Sequence, residues 1–140
     1  MHAITETEFF LPEKCSDITD SEKCICFLYD TLFNVQLFKP DTVIEEKDAE
    51  HIMDISERIG RGKMLPMLVD MKWILEVTRS ARKVFQHRAP ITGNAVAMVV
   101  ESKISRLIAN IFLSMNQMPI PIKLFNDIED AHDWLKKFQT

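Results

Sequence analysis

Six consecutive apolar residues, Ala95 to Val100, leave no polar face anywhere along the run. A strand with one wet face would alternate, so this one is covered by helices on both sides. That requirement points to a layered α/β domain rather than a bundle or a sandwich. Met64 to Met71 is a second compact apolar run, with Pro66 near its start, where a missing N–H is tolerated in a strand.

The segments between these runs carry helical spacing. Thr42-Val43-Ile44-Glu45 has the form of a capping box, and Ala49, Ile52, Met53, Ser56 and Ile59 recur on one face before Gly60. A second helix is predicted from Thr78, with Ala81, Val84 and Phe85 inward. Ser102 opens a third, whose Ile104, Leu107, Ile108, Ile111, Phe112 and Met115 form one broad stripe. Pro119 to Phe125 reads as the last strand, and Asp127 caps a final helix that turns Ala131, Trp134, Leu135 and Phe138 inward. Near the start, Cys24–Tyr29 and Leu32–Phe38 form a hairpin across a two-residue connection, Asp30-Thr31.

The expected order is β-β-α-β-α-β-α-β-α: a mixed sheet, mostly parallel, with an antiparallel N-terminal hairpin. Residues 1–20 read as an irregular arm and residues 21–140 as a single α/β domain. The outer hairpin strand is the natural place for a copy of the chain to pair, so a homodimer stays open.

Charge and composition narrow the partners. Twenty-one acidic side chains outnumber seventeen basic ones, and the basic ones are spread along the chain, which argues against nucleic acid. The most apolar region, Ala95 to Leu113, is interrupted by Glu101, Lys103 and Arg106, so no membrane segment is expected. Cys15, Cys24 and Cys26 make an odd set without a disulfide framework, and a reduced, cytoplasmic setting is the expectation.

The tail Lys123-Leu-Phe125-Asn-Asp127-Ile-Glu-Asp-Ala131-His-Asp-Trp134-Leu135 resembles the closing strand and helix of SpoIIAA-like, STAS-type domains. These are bacterial domains related to anti-sigma-factor antagonists. Ala95–Val100 with its Ser-capped helix, and Met67-Leu-Val-Asp70 ending an earlier strand, fall where that family has them. The resemblance spans roughly Cys24 to Phe138 and implies the STAS-like fold. Antagonists of the family carry Asp-Ser-Ser/Thr-Gly at the start of the helix after the central strand, and the first Ser is phosphorylated. Here that motif falls on Thr78-Arg79-Ser80-Ala81, so the acceptor position is Arg79, which cannot take a phosphate from a serine kinase. Thr78 and Ser80 remain as hydroxyls near the helix start.

No catalytic constellation accompanies the fold. His2, His51, His87 and His132 lie in the arm, on exposed helix faces and near a helix end, and none sits beside a strand terminus with an acidic orienter. Cys24-x-Cys26 lacks a second ligand pair for zinc. Gly60-Arg61-Gly62-Lys63 has neither the spacing nor the strand-first context of a phosphate loop. No metal or cofactor is expected.

In open α/β sheets, ligands and partners meet the carboxyl ends of the strands. Those ends supply Asp70, Lys72 and Trp73, then Ser102 between Glu101 and Lys103, then Asn126, with Thr78, Arg79, Ser80 and Arg82 at one helix start and Arg106 at another. The leading expectation is a non-enzymatic regulatory or protein-interaction module acting through Trp73 to Arg82 on an unidentified protein partner. The alternative is a carrier or sensor of a small apolar or anionic ligand, its pocket lined by some of the eight Met and nine Phe. An enzyme using Asp70, Lys72 and Ser102 is the weakest option.

Overall fold

The computed structural model describes residues 9–114 and 119–139. Eight strands and four α-helices alternate: β1 (Cys15–Asp20), β2 (Cys24–Tyr29), β3 (Phe33–Phe38), β4 (Thr42–Ile44), α1 (Glu46–Gly60), β5 (Leu65–Asp70), β6 (Ile74–Val77), α2 (Arg79–Thr92), β7 (Gly93–Val99), α3 (Lys103–Ser114), β8 (Ile122–Phe125) and α4 (Ile128–Leu135). Six strands form one sheet in the order β1-β2-β3-β5-β7-β8, antiparallel from β1 to β3 and parallel from β3 to β8. β4 and β6 pair in parallel as a separate two-stranded ribbon.

The central strands of the sheet are buried on both faces, as Ala95–Val100 requires. Alternation along β2 and β7 divides the core in two. Cys24, Cys26, Leu28, Val96 and Met98 face α1, α2 and α3, while Ile25, Phe27, Tyr29, Ala95, Ala97 and Val99 face α4. On the α4 side Phe9 and Phe10 complete the cover, Phe10 edge-on to Phe27 at 5.2 Å and to Tyr29 at 4.9 Å. On the other side β3 offers Asn34 and Gln36, both buried. Ser56 of α1 receives them, its carbonyl accepting from Asn34 Nδ2 at 2.9 Å and its hydroxyl from Gln36 Nε2 at 3.1 Å.

Several local expectations change. Residues 15–20, read as part of an irregular arm, form β1, so the outer strand of the hairpin is not an edge. β1 flanks it, and β1 carries a register shift with Asp17 at φ 54. A bulged, aspartate-bearing edge resists pairing with a copy of itself. The hairpin connection has three residues, with Asp30 and Thr31 both left-handed and Leu32 N–H closing on the Tyr29 carbonyl at 3.0 Å. Thr42–Ile44 is a strand rather than a helix cap. The cap of α1 is Glu45, whose N–H donates to the Asp48 carboxylate at 2.9 Å. Met115, assigned to the α3 stripe, lies outside the described residues.

His132, expected at the surface, is drawn into the aromatic cluster, 4.5 Å from Phe33 and 5.2 Å from Phe9 between ring centroids. Its Nε2 is buried without a partner among the described residues. Burial holds its pKa below the ordinary histidine value, with Lys136 adding to the effect against Asp133 and Asp30. The folded state thus prefers neutral His132, and stability present above the unfolded value of about 6.5 is lost as pH falls through it. Urea midpoints measured from pH 8 to pH 5 (roughly the histidine titration range) should fall toward acid, and His132→Phe should flatten that slope.

Candidate functional site

Strands β5 and β7 end side by side, Asp70 paired with Val99, and the chain turns from each toward a helix. Asp70 is only 5% exposed. Its carboxylate accepts the Lys72 N–H at 3.2 Å, and Lys72 Nζ stands 4.0 Å from it and 3.9 Å from the Glu101 carboxylate. The same ammonium lies 4.6 Å from the centroid of the Trp73 ring, a cation–π arrangement. Burial pushes the Asp70 pKa up, Lys72 opposes this through its N–H and its charge, and Glu101 adds to the rise.

Trp73 belongs to neither core cluster and is half-buried, while its carbonyl accepts the Thr42 N–H at 3.2 Å and so joins the turn to β4. Beyond it β6 leads to α2. Thr78 is the N-cap there, its hydroxyl accepting from Ala81 N–H at 3.3 Å and lying 3.3 Å from the Ser80 hydroxyl. Arg82 folds back to donate to the Val77 carbonyl at 2.7 Å. Arg79 is exposed and engages none of the described residues. At α3, Ser102 and Ser105 cap each other, Ser105 N–H to Ser102 Oγ at 3.0 Å and Ser102 N–H to Ser105 Oγ at 3.1 Å. Arg106 donates to the Asn126 side chain at 2.7 Å.

The expected residues therefore separate into groups. Asp70, Lys72, Trp73 and Glu101 make one contact network. Thr78, Ser80 and Arg82 serve the start of α2, Ser102 the start of α3, and Arg106 the junction with β8. Among the described residues the Ser102 hydroxyl bonds to Ser105 rather than to Asp70 or Lys72.

Sequence reasoning missed two features. One is β6, whose pairing with β4 skips a residue: Thr42 faces Ile74 and Val43 faces Glu76, leaving Leu75 as a bulge. The other is a small apolar cavity of about 50 Å³ beneath the ribbon, lined by residues of three helices and five strands, including Met53, Met71, Phe85 and Phe112, with Gln36 as its polar member. The Met and Phe enrichment signalled that cavity, though not its size.

Residues 33–139 match the family described as Domain of unknown function (DUF7793). The chain belongs to that family. Among solved structures, an uncharacterised protein from the DUF3478 family of Shewanella loihica PV-4, with a SpoIIAA-like fold, matches at a TM-score of 0.57. The two are 17% identical, and the match covers 84% of this chain and 89% of that one. No curated protein matches the sequence. The fold of this DUF7793 domain is thus SpoIIAA-like, as the resemblance in the tail and central strands implied. Among the described residues no helix is long and apolar enough to cross a membrane.

The Asp70 network has a direct test. In carboxyl-carbon NMR titrations Asp70 should titrate above an ordinary aspartate. Lys72→Met should raise it further, because the opposing charge is gone, and Glu101→Gln should lower it.

Proposed function

We propose that this DUF7793 domain is a non-enzymatic, STAS-like interaction module that binds a protein partner at the end of the sheet where β5 and β7 finish. The observation that carries the reading is Trp73, a large aromatic side chain left half-buried outside both cores, with Lys72 over its ring and an uncommitted Arg79 at the helix that follows. Trp and Arg are the side chains that most often anchor protein interfaces. A phosphoserine switch of the antagonist type is not part of this reading, because Arg79 occupies the acceptor position.

Affinity purification from the source cells tests it. A protein recovered with the wild-type chain should be lost with Trp73→Ala and with Arg79→Glu, each weakening binding roughly 30-fold or more, the scale of an interface anchor. A partner retained by both variants would overturn the assignment of this surface.

The apolar cavity favours a second reading, a carrier of a small apolar ligand. At about 50 Å³ it is a third of the roughly 150 Å³ that admits benzene, so its walls would have to move apart to hold a lipid chain. Native mass spectrometry of the protein from its own cells separates the two. A protein partner without an added small mass is the expected result, and an added small mass would favour the carrier.

A further inference from the structure

α3 buries Ser105, Ile108, Ala109 and Phe112, and leaves Ile104 48% and Leu107 62% exposed. The sequence had placed both in one broad apolar stripe with the buried residues. A helix whose apolar stripe is wider than the face it can bury presents the surplus to something else. The surplus has a definite direction. Arg106 reaches Asn126 beyond β8, so that flank of α3 faces β8. Ile104, Leu107 and Ile111, spaced i, i+3 and i+7, lie on the other flank, and α3 also packs against β6. There the bulge in β6 presents Leu75, which is 46% exposed. Bulges re-aim side chains, and this one turns a leucine toward water on the strand that α3 packs against.

Charge around this surface is net positive. Segments 70–83 and 101–106 carry six basic and three acidic side chains, whereas the remainder carries eleven basic and eighteen acidic. Arg79, Lys83 and Lys103 are exposed and engage none of the described residues. In a chain of net charge -4 the apolar patch therefore sits in its basic region.

We infer that Leu75, Ile104 and Leu107 dock an acidic amphipathic helix of a partner protein, its apolar side chains against these three residues and its carboxylates against Arg79, Lys83 and Lys103. Charge complementarity selects that occupant, and helix-in-groove recognition supplies the geometry.

The inference rests on the interaction reading above but can fail alone. If the partner recovered there survives Leu107→Glu, this docking chemistry is wrong and the interaction module stands; if wild type recovers nothing, the module itself fails. The direct experiment selects a phage-displayed library of helix-length peptides on the whole chain. Selected peptides should carry Leu, Ile or Phe at i, i+3 or i+4 with excess Asp and Glu. Leu107→Glu should weaken them roughly tenfold or more, Lys103→Glu less, and Met64→Glu, at the opposite end of the strands, should change nothing. Circular dichroism melts confirm that each variant folds. Selected peptides without an acidic bias, or affinity unmoved by Leu107→Glu, would overturn the proposal. So would binding to phosphatidylserine vesicles in place of peptide, or a homodimer that Leu107→Glu dissolves.

Discussion

Everything in this fold follows from a sheet that has no face to give to water. β2, β3 and β7 are buried along their length, so each side must be roofed by apolar side chains. Three helices roof one side. The other has one short helix, α4, which cannot cover six strands by itself. Phe9 and Phe10 fill the gap, and that is why His132 ends among aromatic rings. The imbalance also sets the position of the candidate site. With α2 and α3 on the same side, their starts converge where β5 and β7 end, beside the ribbon of β4 and β6.

Electrostatics reinforces the arrangement. Arg88 of α2 is held by three carboxylates of α1, with Glu50, Asp54 and Glu57 each at 2.8 Å. Burial alone would lower its pKa, but the hydrogen bonds it donates to those carboxylates carry it above the usual arginine value. One cation shared among three anions fixes the helix pair more firmly than an isolated surface pair would, because the geometry is a network. It also commits acidic charge to α1 and leaves the basic charge of α2 concentrated at its first turn. The polarity of the molecule, acidic at α1 and basic where α2 and α3 begin, is thus partly a by-product of packing two helices together.

Much of this was legible in the chain. The doubly apolar run at Ala95–Val100 gave the layer, helical spacing gave α1, α2 and α4, and the residues after the strands gave the Asp70–Lys72–Trp73 network. What escaped has physical causes. β4 and β6 have three and four residues, too short to show a period, and they pair only with each other. β1 alternates weakly because it is an edge whose bulge at Asp17 interrupts the pattern. Its tie to the domain is long-range: Arg61, just after α1, meets Asp17 at 2.9 Å. His132 was misplaced because an α-helix reports which residues share a face, not which distant segment covers them. Ser102 and Thr78 looked like site hydroxyls and are caps, the role that hydroxyl side chains at helix starts most often fill.

The broad stripe of α3 was the most instructive error. Periodicity measures apolar character, and it cannot say how much of a wide stripe the rest of the chain has area to cover. Ser105 and Ala109 take the inward positions because small side chains let α3 settle close to the sheet. That rotation necessarily turns Ile104 and Leu107 outward. A serine at the centre of a buried face is satisfied only through its reciprocal cap with Ser102, so the cap and the rotation depend on each other. The hydroxyls that seemed available for chemistry are instead what hold the helix at the angle that exposes its leucine. The exposed flank of α3 and the Ser102–Ser105 cap are thus two sides of one local arrangement.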